Sequence, residues 1–116
     1  MDKAFSKLFE PVQIGGVVIK NRIGMAPMAV LGLTDSEGAP THRAIDYYVE
    51  RAKGGVGLII TGAFKVEQDI DLARTIGPIR RTALPSFGEL SESIHAFGAK
   101  IFVQLTAGLG RVAFPA

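Results

Sequence analysis

A set of short apolar runs that alternates with amphipathic segments is the feature of this sequence that most constrains its fold. The middle run, VGLIIT at 56–61, is hydrophobic at nearly every position, which is typical of a parallel strand covered on both faces. Strands that alternate with helices form right-handed βαβ units around a parallel sheet. We therefore predict an α/β fold with buried strands at about 23–27, 56–61 and 101–105.

The two amphipathic segments between these runs carry helix-boundary signals. The first covers about 41–53, with Thr41 as a candidate N-cap and a pair of glycines after its last residue. The second covers about 86–97 and begins with SFGE, which reads as a capping box formed by Ser86 and Glu89. Each segment places its apolar residues at helical spacing, so we expect both helices to pack one face against the sheet.

A β-hairpin is predicted before the first of these strands. The β-prone runs VQI and VVI flank Gly15-Gly16 within about 12–20, and paired glycines supply the positive φ angles of a tight turn. A loop is expected from about 62 to 84. Three parallel strands with only two connecting helices leave sheet edges and faces uncovered. We therefore expect the chain to be the truncated beginning of a larger α/β domain.

The composition excludes several kinds of site and partner. The 116 residues contain no cysteine, which rules out disulfides, thiolate zinc sites and iron–sulfur ligation within them. The net charge is only +2 and the basic residues are scattered, without the dense stripe that nucleic acid requires. No apolar run approaches the ~18 residues of a membrane span, and the N-terminus lacks a signal-peptide pattern. We therefore expect a cytoplasmic chain that binds no metal, nucleic acid or membrane, and the oligomeric state stays open.

Small residues follow each predicted strand, at the edge of a parallel sheet where ligands bind. These segments are Ala26-Pro27-Met28-Ala29, Thr61-Gly62-Ala63, and TAGLGR after Gln104. Their composition suits a large flat ligand that lies against backbone and is oriented by few directional bonds. Gln104 supplies the single amide side chain among them.

Three stretches of the sequence resemble successive segments of the old yellow enzyme family of flavin-dependent oxidoreductases. They are LFEPVQIGGVVIKNRIGMAPM, YYVERAKGGVGLIITG and HAFGAKIFVQLTAGLGR, in order from Leu8 to the C-terminus. The most similar branch is that of 2-enoate reductases, 2,4-dienoyl-CoA reductases and bile-acid pathway oxidoreductases. The resemblance implies a TIM (β/α)8 barrel with FMN at its C-terminal mouth and the hairpin as a lid at the bottom. The chain would supply the first three of eight βα segments.

The resemblance also implies roles for residues at the strand ends. Ala26, Pro27 and Met28 would line the flavin through backbone contacts, and Ala63 (or Gly62) would lie close to the ring. Gln104 would direct its amide at the polar edge of the isoalloxazine, because an amide can both donate and accept hydrogen bonds. The complete enzyme would use NADH or NADPH to reduce an activated C=C bond of an enoate or enone-type small molecule. An iron–sulfur cluster and FAD would bind only in C-terminal regions that this chain lacks.

The sequence departs from the family pattern at two of these places. Ala29 stands where some members have Cys or Thr. Many members read Gln-Leu-x-His-x-Gly-Arg at the third strand end, whereas here Thr106, Ala107 and Gly108 follow Leu105. The family's substrate-carbonyl donors, proton donor and phosphate-binding residues lie later in the barrel, so the catalytic residues stay unassigned. Two alternatives stay open: a catalytically inactive fragment that folds partially or completes a sheet with another chain, and a different phosphate-binding barrel enzyme.

Overall fold

The computed structural model describes residues 3–30, 32–67, 78–108 and 110–112. These residues contain five strands: β1 (Val12–Ile14), β2 (Val17–Ile19), β3 (Gly24–Met25), β4 (Leu58–Lys65) and β5 (Lys100–Thr106). The α-helices are α1 (His42–Lys53) and α2 (Leu84–His95), and 3-10 turns occupy Lys3–Phe9, Arg81–Ala83 and Gly110–Val112. Part of the loop predicted at 62–84, residues 68–77, lies outside the described residues.

The hairpin is formed by β1 and β2, which pair antiparallel with Ile14 opposite Val17. Only the first of its two loop glycines has a positive φ, since Gly15 is at φ 57° and Gly16 is not in that region. A positive φ at the first central position alone is the pattern of a type II′ turn. The expectation that both glycines supply positive φ angles is therefore wrong for the second one.

Helix α1 begins at His42, directly after a side-chain cap. The Thr41 hydroxyl oxygen accepts a hydrogen bond from the backbone nitrogen of Ala44 at 3.2 Å, as its position before the apolar run predicts. The same hydroxyl donates to the Gly32 carbonyl at 3.1 Å, so the cap also ties the helix to the loop before it.

Helix α2 does not begin with the predicted capping box. The helix starts at Leu84, its N-cap Ala83 makes no side-chain capping bond, and Ser86 and Glu89 lie inside it. The 3-10 turn Arg81–Ala83 leads directly into the helix. Pro85 then occupies the first turn, where its fixed φ suits the helix and its missing N–H costs no hydrogen bond. Local proline geometry thus replaces a side-chain cap.

Strands β3, β4 and β5 form a parallel sheet in that order. Strand β3 is only two residues long, shorter than the 23–27 predicted. Strand β4 covers 58–65 rather than 56–61, because its pairing with β5 continues to Lys65 opposite Thr106. The sheet therefore extends into a segment that the sequence pattern assigned to a loop.

The core lies between the two helices and one face of the sheet. It is built around side chains that are almost completely inaccessible: Ala44, Tyr48, Ile59, Leu90 and Ile94. The prediction of a buried third strand is wrong for much of β5, where Phe102, Val103 and Leu105 are exposed. No strand pairs with the second edge of β5 within the described residues. In the same part of the chain, no helix has the length and apolar character needed to cross a membrane.

Candidate functional site

The segment that follows β3 is in direct contact with the end of β4 at Gly62. A Cβ atom built on Gly62 would lie 2.6 Å from the Met28 carbonyl oxygen and 3.0 Å from the Ala29 Cα. Only glycine leaves room for two backbones at that separation. This contact brings the predicted Ala26–Ala29 segment against the Gly62–Ala63 segment.

A β-bulge in β4 sets the alignment of the other two strand ends. Ile60 lies opposite Phe102, and the next aligned pair is Ala63 with Gln104. Thr61 and Gly62 together therefore oppose a single residue of β5, which is the arrangement of a bulge. Without the extra residue, Gln104 would lie opposite Gly62 rather than Ala63.

The bulge determines which face of the sheet carries Ala63. Ile59 and Ile101 are aligned, and both pack with the helices in the core. Side chains alternate along a strand, so Gln104, three positions after Ile101, lies on the face opposite the helices. Ala63 is aligned with Gln104 and shares that face. The two predicted flavin contacts thus lie side by side on the face that neither α1 nor α2 covers.

Two side chains satisfy the backbone groups at the bulge. The Gly62 N–H donates to the Tyr48 hydroxyl oxygen at 3.0 Å, and the Gln104 N–H donates to the Thr61 hydroxyl oxygen at 3.2 Å. The Thr61 hydroxyl in turn donates to the Gly62 carbonyl at 2.9 Å. Thr61 is completely buried, and Tyr48 is 5% exposed. The irregular backbone therefore keeps its hydrogen bonds without water.

Burial raises the pKa of Tyr48 above its ordinary value of 10.0. The hydrogen bond from Gly62 opposes this rise, because it favours the phenolate, and the neighbouring Tyr47 adds to it. The hydroxyl therefore keeps its proton throughout the neutral pH range. It supplies a neutral hydrogen-bond acceptor behind the strand end, not a charge.

The remaining predicted contacts are accessible to a ligand. Ala26, Pro27 and Met28 are all exposed and lie outside the strand pairing, with Met28 57% exposed. Gln104 is also exposed, and its side-chain amide makes no hydrogen bond to the described residues. Ala63 is half-buried. The structure thus groups all five predicted residues at one edge of the parallel sheet, where the segment after β3 meets the ends of β4 and β5.

A small cleft lies behind this edge, between α1 and the strand ends. Its lining includes Ala29, Tyr48 and Gly62 together with two of the predicted contacts, Met28 and Ala63, and its volume is ≈ 20 Å³. That is room for about one water molecule. A flat ring system is therefore too large to enter this cleft.

Sequence reasoning missed three residues near this edge. No role is predicted for Tyr48 from the sequence, although a tyrosine on the buried face of a helix signals a hydroxyl that needs a partner. Thr61 belongs to one of the predicted small-residue segments, but the sequence predicts no role for its hydroxyl. Lys65 is 5% exposed, follows Ala63 by two positions and lies on the same face. It falls in the segment that the sequence predicts as a loop.

Comparisons with known proteins give a consistent result. The model of the NADH:flavin oxidoreductase / NADH oxidase family matches residues 7–114. A cinnamate reductase of Clostridium sporogenes is 43% identical over 122 aligned positions, which cover 99% of this chain and 18% of that protein. An NADH oxidase of Thermoanaerobacter brockii is 44% identical over 103 positions, covering 87% of this chain and 16% of that protein.

Solved structures of the same kind superpose on the chain. A 2-naphthoyl-CoA reductase in complex with 2-naphthoyl-CoA matches with a TM-score of 0.82 at 28% identity, over 95% of this chain and 17% of that one. The old yellow enzyme of Trypanosoma cruzi matches with a TM-score of 0.77 at 28% identity, over 88% of this chain and 27% of that one. These neighbours are TIM barrels, and the described residues form three of the eight strands and no closed barrel. The chain spans less than a third of the length of these relatives.

Proposed function

The chain belongs to the NADH:flavin oxidoreductase / NADH oxidase family, and from that membership we propose that it supplies the first three strand ends of an FMN site. The observation that carries the proposal is the bulge that places Ala63 beside Gln104 on the face that the helices leave open. The exposed Ala26–Met28 segment borders them through the contact at Gly62. FMN-dependent oxidoreduction is the activity that this arrangement would serve.

The residues at this edge fit the chemistry of a flavin. Small side chains at Ala26, Pro27 and Ala63 let a flat ring approach the backbone. Met28 offers a polarizable apolar surface, which is suited to contact with an aromatic system. The amide of Gln104 can donate to a ring nitrogen or carbonyl oxygen and can accept from a ring N–H. These five residues are neutral and mainly apolar, as is usual for the lining of a cofactor site, and Lys65 on the same face is the charged neighbour.

Each residue would contribute binding and orientation. When bound, FMN supplies hydride transfer, which no amino-acid side chain provides. Gln104 would fix the rotation of the ring in its plane through directional hydrogen bonds. Ala26 and Pro27 would contact the ring through their backbone, and Ala63 would limit how closely the ring approaches β4. The neutral Tyr48 hydroxyl, buried behind the strand end, would hold the Gly62 backbone without adding a charge.

We propose an activated alkene conjugated to a carboxyl group as the substrate class of the complete enzyme. This proposal is supported by the relative named as a cinnamate reductase, which matches 99% of this chain. Cinnamate carries a C=C bond conjugated to its carboxylate, so it is an enoate. NADH or NADPH would be the reductant. Any iron–sulfur cluster or FAD would depend on residues that this sequence does not contain.

The experiment for the flavin site is a visible absorbance spectrum of the purified chain after incubation with FMN and desalting. We expect retained flavin bands with a shifted maximum, and a weaker retention in Gln104→Ala. Gln13→Ala is the matched control, because Gln13 is an exposed amide on the hairpin whose bond is local, to the Gly15 carbonyl. A colourless wild-type chain, or equal losses in both variants, would contradict the proposal.

The exposed side chains of β5 favour a second candidate function. Val103 is 39% exposed and Leu105 is 56% exposed on an open sheet edge. Such an edge pairs readily with another strand. We propose as the alternative a catalytically inactive chain whose sheet is completed by another chain. Sedimentation velocity distinguishes the two, since this alternative predicts an assembly in place of a flavin-binding monomer, and Val103→Lys would dissociate it.

A further inference from the structure

Gly62 is held on three sides by groups from three different elements. Its N–H donates to Tyr48 of α1, and its carbonyl accepts from the Thr61 hydroxyl. Its Cα faces the Met28–Ala29 backbone after β3. The residue is therefore the point at which a helix, a strand and the segment after a neighbouring strand meet.

Of these contacts to Gly62, only the hydrogen bond to the Tyr48 hydroxyl comes from a helix. Thr61 is adjacent to Gly62 in sequence, so its hydrogen bond moves with the bulge and cannot locate the bulge relative to the helix. Tyr48 is 14 residues away in sequence, in a helix whose buried face is packed in the core. Its hydroxyl therefore fixes the position of the Gly62 N–H relative to a rigid element.

Removal of this hydroxyl would leave the half-buried Gly62 N–H without its protein acceptor. The loss of this hydrogen bond favours a backbone shift that finds another acceptor. The simplest shift is loss of the bulge, which returns Gly62 to a position opposite Gln104. A one-residue slip moves the following side chains to the other face of the sheet. Ala63 would then leave the face that it shares with Gln104.

We propose that Tyr48 is a positioning residue that acts through the Gly62 amide to hold the bulge and so keep Ala63 on the flavin-binding face. The inference rests on the proposed flavin site. Tyr48 is buried in the core, where its hydroxyl accepts from the Gly62 N–H, and it lines the same small cleft as Ala63. Its effect on the ligand is transmitted through the β4 backbone.

The test compares Tyr48→Phe with Tyr47→Phe in the full chain. Phenylalanine keeps the ring and removes only the hydroxyl, and Tyr47 is a neighbouring tyrosine whose ring packs edge-on against Tyr48 at 5.2 Å. We expect Tyr48→Phe to accelerate amide hydrogen exchange at Gly62 about tenfold, the effect of losing one hydrogen bond of ordinary strength. We also expect it to weaken FMN binding by about the same factor. Tyr47→Phe should change neither.

The readouts separate this inference from the flavin proposal. Faster exchange at Gly62 with unchanged FMN affinity would overturn the positioning role. Unchanged exchange at Gly62 in Tyr48→Phe would show that the Tyr48 hydroxyl does not hold this amide, and would also overturn the inference. If the wild-type chain binds no FMN, the flavin proposal fails. The cross-strand NMR contact between Ala63 and Gln104 then decides whether Tyr48 holds the register, since its persistence in Tyr48→Phe would overturn the inference.

Discussion

Ala63 of β4 lies directly opposite Gln104 of β5, in a register displaced by one residue from the pair Ile60 and Phe102. The displacement is produced by the bulge at Thr61 and Gly62. It converts a position that would face the helices into one that faces the open side of the sheet. The candidate flavin-binding face therefore depends on a local irregularity and not on regular strand geometry.

Substitution of Gly62 by alanine should destabilise the chain. The added Cβ would meet the Met28 carbonyl oxygen at 2.6 Å, and that partner is backbone, which cannot move aside as a flexible side chain would. We expect a loss of about 1–3 kcal/mol in the free energy of unfolding, as for other overpacked sites. Chemical denaturation measures it.

Gly88→Ala is the matched control for that substitution. Gly88 lies within α2, and a Cβ built there meets nothing within 4 Å. Alanine in a helix is favoured over glycine by about 0.5–1 kcal/mol, so this variant should be more stable than the wild type. Equal losses in the two variants would show that the contact at Gly62 is not tight.

The stability of the chain should fall at alkaline pH because of Tyr48. Burial raises the pKa of this hydroxyl above 10.0, so the folded chain retains a proton that the unfolded chain releases. The resulting stabilisation is fully present below about pH 10 and is lost as the pH rises through the folded-state pKa. Unfolding free energies measured across this range should fall more steeply in the wild type than in Tyr48→Phe. If the steep decline were absent in Tyr47→Phe and present in Tyr48→Phe, Tyr47 and not Tyr48 would be its cause.

Removal of the α1 cap should cost a predictable amount. Thr41→Ala deletes the acceptor for the Ala44 N–H and the donor to the Gly32 carbonyl. We expect a loss of about 1–2 kcal/mol in the free energy of unfolding, measured by denaturation. Thr41→Ser keeps the hydroxyl and should retain most of the stability. A serine variant as unstable as the alanine variant would point to the lost methyl group rather than the cap.

The core and surface leucines of α2 should respond differently to the same change. Leu90 is 2% exposed and belongs to the core, whereas Leu84 is 65% exposed at the start of the helix. Leu90→Ala should lower the free energy of unfolding by about 2–5 kcal/mol, because it removes buried surface and leaves a cavity. Leu84→Ala should stay within about 0.5 kcal/mol of the wild type. Similar values for both would mean that α2 is not packed on the sheet as described.

The parts of the fold that local chemistry determines could be predicted from the sequence. The cap at Thr41 depends on a hydroxyl three residues before its donor, and the hairpin turn depends on the positive φ of Gly15. The order of strands and helices followed from the alternation of apolar patterns. The predicted start of α2 at Ser86 is wrong, because Pro85 and the 3-10 turn before it allow the helix to begin at Leu84, which places Ser86 and Glu89 inside it.

The geometry of the candidate site could not be predicted in the same way. The bulge depends on pairing between β4 and β5, about 40 residues apart, and on a hydrogen bond from α1. No local pattern at Thr61 or Gly62 encodes either contact. The resemblance to a family implies flavin contacts at Ala63 and Gln104, and only the register of β4 and β5 explains how the two residues share a face.

The most direct test of this account is to map backbone NMR shifts of the chain during titration with FMN. We predict the largest shift changes at Ala26, Met28, Ala63 and Gln104, with little change in the hairpin at Val12–Ile19, which lies before the first strand of the parallel sheet. Such a pattern would place the flavin on the face that the bulge creates. Shift changes centred on the hairpin, or none at saturating FMN, would contradict the account.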